Sequence, residues 1–197
     1  VPHEPAGEEI VIDRTPDRAE RGFTLPEVML AIAIMSIVMA MSVAGMSRAI
    51  PDTRAGAASQ SLLHTLTIAR ESALTQRLAV EIRFTGTNTL VVTRLNADGT
   101  TTELVRTVFE GGVQFVRFPG LPDTPDGFGN RAALDFDNAA RLLFQPDGML
   151  TDGGDVPVDG SVFLGLPGNA GTARAVTVFG PTGRVASYRW NGTAWIP

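Results

Sequence analysis

Hydrophobic and polar positions along the chain fall into three regimes. From Val28 to Ser47, twenty residues pass without a charge. As a helix rising about 1.5 Å per residue, this run is roughly 30 Å long, the thickness of a hydrocarbon core. It is apolar all round, whereas a soluble core helix is apolar on one stripe. A cleaved secretory signal would have a shorter apolar run, about 7–15 residues, ending in a small-residue site. Ala40-Met41-Ser42 and Ala44-Gly45-Met46 are poor versions of such a site. Arg14, Arg18 and Arg21 precede the run and Arg48 and Arg54 follow it. That bias predicts a membrane span with a cytoplasmic N-terminus.

Residues 55–78 return to helical spacing. Leu62, Leu66, Ala69 and Ala73 form one stripe, which Leu63 and Leu74 widen. Gly45 and Pro51 are the expected points of kinking or interruption. From Ala79 the period becomes two, and Val80, Ile82 and Phe84 alternate with Glu81 and Arg83. Further strands are expected at Thr89–Leu95, Thr102–Phe109, Val113–Phe118, Arg141–Gln145, Ser161–Leu166, Arg174–Phe179 and Val185–Trp190. Turn dipeptides separate them, among them Thr85-Gly86, Asp98-Gly99 and Gly111-Gly112. Asn191-Gly192 predicts a two-residue hairpin. The fold class is therefore α+β: a long N-terminal helix, first membrane-spanning and then amphipathic, packed on a globular head of antiparallel strands. The expected divisions are residues 1–22, 23–50, 51–78 and 79–197.

Composition narrows the chemistry. With no cysteine, the sequence holds no disulfide framework, thiol nucleophile or Cys-ligated metal. Every one of its 16 basic residues is arginine, yet the net charge is -5, against a non-specific nucleic-acid binder. His64 has no second ligand at useful spacing and reads as a surface or packing residue. Carboxylates crowd the loops Asp123–Asp126, Asp135–Asn138 and Asp147–Asp155. Calcium takes such oxygens, but no D-x-[DN]-x-[DN]-G loop is present, and aspartate beside Gly and Pro is ordinary turn chemistry. No spacing singles out a carboxylate pair, and neither a G-x-S-x-G word nor a phosphate-binding glycine loop occurs. No catalytic residue, metal ligand, cofactor or small-molecule substrate is expected.

Glu27 adjoins the uncharged run. A carboxylate at the edge of hydrocarbon costs a few kcal/mol at depth unless it is partnered. The helix dipole and Pro26 suit a first turn there, which would account for Glu27 as a cap alone. The surrounding word, Arg21-Gly22-Phe23-Thr24-Leu25-Pro26-Glu27-Val28-Met29-Leu30, does more. It closely resembles the type IV prepilin signature. The resemblance implies cleavage between Gly22 and Phe23 by a dedicated prepilin peptidase, N-methylation of Phe23, and a subunit-assembly role for Glu27. Residues 1–22 then form a leader with six acidic and three basic residues, where short basic leaders are common. Pro26 stands where the family more often has an aliphatic residue.

The head carries a second resemblance. Leu62-x-x-x-Leu66-x-x-Ala69-Arg70-Glu71-Ser72-Ala73 leading into Val80 resembles the start of the GspH/FimT pseudopilin domain. Leu143 to Gly148 and Val176 to Val185 resemble its closing strands. What this implies is a minor pseudopilin at or near the tip of a type II secretion pseudopilus, supporting protein export from the inner membrane with its head periplasmic. Its partners would be other pseudopilins or pilins, met through the N-terminal helix. The alternative is a minor pilin of a type IV pilus that binds DNA in natural transformation. For that role Arg174, Arg184 and Arg189 would contact phosphates, and Tyr188, Trp190 and Trp195 would stack on bases. Gly183-Arg184-Val185-Ala186 has alanine where a second arginine of a G-R-x-R word would stand. The competing reading of these residues is a closing hairpin whose tryptophans cover an edge or meet another subunit.

Overall fold

A computed structural model of the chain describes residues 22–154 and 156–197. The expected leader with its arginines, apart from Gly22, lies outside the described residues, as does Asp155. The chain divides into two units, residues 1–43 and 44–197. Helix α1 (Leu25–Gln76) contributes to both. It runs on through Pro51, one of the two positions where a kink or an interruption is expected, as the expected amphipathic continuation of the helix. A proline removes one helical hydrogen bond. In the same turn Thr53 Oγ1 donates to the Ala49 carbonyl at 2.9 Å, adding a bond.

In the second unit α1 buries Ala55, Ala58, Leu62, Leu66, Ala69 and Ala73 along one face. Ser59 and Thr65 widen this stripe; Leu74 stays exposed. His64 is exposed, as its position on the polar face predicts. Leu62 and Leu66 supply the largest side chains of this stripe and are fully buried.

Two antiparallel sheets complete this unit. The first holds β1 (Val80–Thr85), β2 (Thr89–Leu95), β3 (Thr101–Val108), β6 (Leu142–Phe144) and β7 (Leu150–Thr151), in the order β3-β2-β1-β6-β7. The second holds β4 (Gln114–Phe115), β5 (Leu134–Asp135), β8 (Gly160–Gly165), β9 (Arg174–Phe179), β10 (Arg184–Trp190) and β11 (Trp195–Ile196). Its order is β11-β10-β9-β8-β4, and β5 pairs with the other half of the β8 edge. Val80, Ile82, Leu90, Phe144, Val162, Leu164, Val176 and Val178 meet the helix stripe in one core. The strand period of two sends Phe163 and Ala175 to the opposite face. There Phe118 and Trp195 cover them in a second cluster.

The structure shortens the expected strand at Val113–Phe118 to two residues and adds β5, β7 and β11. It also corrects the last hairpin. Trp190 pairs with Trp195, so four residues form the loop, not two. Asn191 Oδ1 accepts from the backbone N–H of Thr193 and Ala194, and this side-chain turn fixes the longer loop.

The polar face of β1 is not simply solvated. The Glu81 side chain is buried and accepts from Arg141 Nε at 3.1 Å and Arg83 Nη2 at 3.2 Å. Burial alone would raise its pKa, but the two arginines outweigh burial and hold it below the usual 4.5. Asp135 is likewise buried and held low, first by its hydrogen bonds from Arg131. A carboxyl with a depressed folded pKa stabilises the fold above its unfolded pKa and ceases to do so as pH falls through the folded value. Urea unfolding of the chain in detergent should therefore show constant stability from pH 7 to 5 and a loss beginning near pH 4.5. Glu81→Gln should flatten that acid limb, and an unchanged limb would remove Glu81 from the account.

Candidate assembly site

Gly22, Phe23 and Thr24 precede the helix, which begins at Leu25. The Thr24 carbonyl accepts from the backbone N–H of Glu27 (3.0 Å) and Val28 (3.1 Å), closing the first turn. Pro26 falls in that turn, where a missing N–H is tolerated because no intrahelical acceptor exists for it. Glu27 therefore stands in the first turn, near the positive end of the helix. It is the only ionisable side chain between Phe23 and Ser47.

Every described side chain from Phe23 to Ser42 is exposed within the chain. At 100° per residue, Val28, Leu30, Ile32, Ile34, Met35, Ile37 and Val38 point in nearly all directions. Ala33 and Ala40 occupy the remaining sector. No strip faces a partner among the described residues, so this apolar surface calls for cover by lipid, by other helices, or by each in turn. The two serines suit such surroundings. Ser36 Oγ donates to the Ile32 carbonyl at 2.8 Å and Ser42 Oγ to the Val38 carbonyl at 2.9 Å. Each hydroxyl is thus satisfied inside the helix. Residues Leu25–Ser42 are long and apolar enough to cross a membrane. Gly22 has no packing reason to be glycine, since a Cβ there would meet nothing within 4 Å.

The aromatic and basic residues near the end of the chain divide into two groups. Arg174 is buried and pairs with Asp52 Oδ1 at 2.5 Å, tying β9 to α1, so it is not a phosphate contact. Trp195 is also buried. Its Nε1 donates to the Pro122 carbonyl, and its ring meets Trp190 edge-on, so it offers no face to a base. Arg184 and Arg189 remain exposed on β10. Arg184 reaches Asp126 at 3.4 Å, while Arg189 has no ion pair among the described residues. Asp126 also accepts from Tyr188 Oη at 2.9 Å and from Thr177 Oγ1 at 2.5 Å. Burial first, then this bond to Asp126, raises the Tyr188 pKa.

Apart from Asp126, the described carboxylates of the acidic loops spend their oxygens locally. Asp123 accepts from the N–H of Thr124 and Gly129, Asp147 from Met149, and Asp152 from Gly154. Asp135 and Asp137 share Arg131. The expected turn chemistry accounts for the Asp123, Asp147 and Asp152 contacts, and an ion-pair cluster for those of Asp135 and Asp137. The Asp52–Arg174 pair and the Asp126 junction were not legible beforehand, because their partners lie 122 and 51–62 residues away in the chain.

Residues 17–43 match the family described as the prokaryotic N-terminal methylation motif. The N-terminal segment of this chain is type IV prepilin-like. No curated protein matches the chain. Among solved structures, one similar chain is the minor pseudopilin EpsH of the type 2 secretion system of Vibrio cholerae. It is 19% identical, covers 69% of this chain and 97% of its own, and has a TM-score of 0.47. The type IV minor pilin FimU of Pseudomonas aeruginosa is 18% identical, covers 66% of this chain and 85% of its own, and has a TM-score of 0.46.

Proposed function

We propose that this chain is a minor pseudopilin, a structural and non-enzymatic subunit of a type II secretion pseudopilus that sits at or near the filament tip and supports protein export. The observation that carries the reading is a helix segment exposed and apolar on every side, with one carboxylate, directly after Gly22-Phe23 in a stretch that matches the methylation motif. A prepilin peptidase cuts between Gly22 and Phe23, and the new N-terminal Phe23 is methylated. Before assembly the apolar segment spans the inner membrane, with the N-terminus cytoplasmic and the head periplasmic. In the filament the same surface packs against equivalent helices, exchanging lipid for protein contacts.

Glu27 sets the register. A neighbour's N-terminal amine and this carboxylate neutralise each other in an apolar bundle, where either charge alone would be costly. The two β-sheets and their loops supply lateral contacts. A minor pilin of a type IV pilus would use the same N-terminal machinery, and the two readings part at what the filament moves.

The deciding experiment compares extracellular protein from a deletion strain and its parent. Loss of exported hydrolases, with their intracellular amounts maintained, is the expected result. Unchanged hydrolases with loss of sheared pilin subunits would replace this reading by the pilus one.

A further inference from the structure

The sheet edges in the second unit are not equally protected. On β3 the register slips opposite Val92/Thr93, leaving Leu104 as an extra residue, and Glu103 pairs with Arg106 at 2.7 Å across that bulge. A bulge and charged side chains blunt an edge against further strands. β10 has no bulge, and its charged side chains, Arg184 and Arg189, stand at the two ends of the strand. β11 pairs only with Arg189 and Trp190, so no strand among the described residues covers the outer side of Arg184–Tyr188.

Its hydrogen-bond phase is readable. Trp190 N–H donates to the Ala173 carbonyl, in register with β9. By the alternation of an antiparallel ladder, Val185 and Ser187 direct their N–H and C=O groups away from β9, toward the open side. The free stretch is about 16 Å long at roughly 3.3 Å per residue.

This open edge runs beside one flank of α1. One cleft of about 260 Å³ lies between Gly56, Ser59 and Gln60 and the end of β10 at Ser187–Arg189, with Arg174 and Pro197 also on its wall. A second of about 360 Å³ lies between Thr67 and Arg70 and the start of β10 at Arg184 and Val185. No Asp or Glu side chain lines either cleft. Arg189 stands at one end. At the other, Arg70 has its Nε on the Thr182 carbonyl and, like Arg189, no ion pair among the described residues. Arg184 adds a charge that Asp126, at 3.4 Å, offsets in part.

We infer that the open edge of β10 is a docking groove for an extended, acidic peptide segment of a partner protein, which adds as a strand beside Arg184–Tyr188. Val185 and Ser187 supply the main-chain hydrogen bonds. Arg189 and Arg70 take carboxylates at the two ends of the segment. Strand addition derives affinity from main-chain bonds and specificity from side-chain pockets. Complementary charge fixes partner and direction. A nucleic acid would satisfy the arginines but leave the edge N–H and C=O groups without strand partners, so the peptide is the better occupant. The groove lies wholly within residues 44–197, and its occupancy stands or falls independently of processing at Gly22 or pairing at Glu27.

The test uses the full chain in detergent micelles. The probe is a capped heptapeptide of alternating threonine and valine with glutamate at both ends. It should bind, and should shift the amide resonances of Val185 and Ser187. Lysine at both ends of the peptide, or N-methylation of alternate peptide amides, should each weaken binding at least tenfold. The surface double variant Arg70→Glu/Arg189→Glu, with its fold checked by circular dichroism, should reverse the preference towards the lysine-ended peptide. No binding of the acidic peptide would overturn the inference. So would indifference to N-methylation, or a thymidine oligonucleotide that binds more tightly and displaces the peptide.

Discussion

Replacing Gly22 with valine is expected to leave the full precursor in the membrane, with processed product reduced at least tenfold and the rest of the chain folded as before. The argument rests on what Gly22 does not do. It lies before the helix, and a Cβ built on it has open space around it. Valine therefore costs the chain little by itself. A requirement for glycine has to come from outside, from a peptidase cleft that admits the backbone closely and has no room for a branched Cβ. Intact-mass measurement of the membrane protein reads the outcome, and an N-methyl group on Phe23 should vanish with cleavage. Normal mature mass in Gly22→Val would sink the processing claim, whatever the filament does.

Glu27→Val should insert into the membrane as well as the parent does, yet co-assemble at least a hundredfold less. Valine makes the apolar segment more hydrophobic, so insertion is not the step at risk. On the proposed pairing, what is lost is the partner of a buried amine. Breaking one member of a buried ion pair costs about 3–5 kcal/mol, which exceeds a hundredfold in an association constant. Glu27→Asp keeps the charge on a shorter arm and should recover part of the assembly; a cap at the helix start would respond similarly to either acid. Crosslinking to neighbouring subunits in sheared filaments, against total membrane protein, measures the effect. Equal incorporation of Glu27→Val and parent would remove the pairing argument and leave Glu27 as a first-turn residue.

Legibility differed along the chain for physical reasons. The longer strands β1, β2, β8 and β9 were located within a residue or two, because each is an apolar-rich run of six or seven residues bounded by turn residues, β8 and β9 being buried on both faces. Two-residue strands such as β5, β7 and β11 carry no period at all. They exist because β8, β6 and β10 present open edges to them. Asn191-Gly192 misled for a related reason. A two-residue turn was available locally, but the Asn191 side chain and the Trp190–Trp195 contact favour four residues. The helix stripe at Leu62–Ala73 was legible, whereas its extension through Ala55 and Ala58 was hidden, alanine being as common on exposed helix faces as on buried ones.

Arginine shows the division most sharply. Arg174, Arg184 and Arg189 look alike along the chain, each within or immediately beside an expected strand and each flanked by small, apolar or aromatic residues. In the folded unit one is buried against Asp52, one is held loosely by Asp126, and one is exposed without an ion pair among the described residues. By itself, the sequence determined whatever depends on neighbours within a turn or two: the uncharged segment, the word around Gly22 and Glu27, the amphipathic helix and the longer strands. Only the tertiary structure decided which charges are neutralised and which edge stays open. Those outcomes depend on groups brought together from 51 to 122 residues apart, about whose meeting local pattern carries no information.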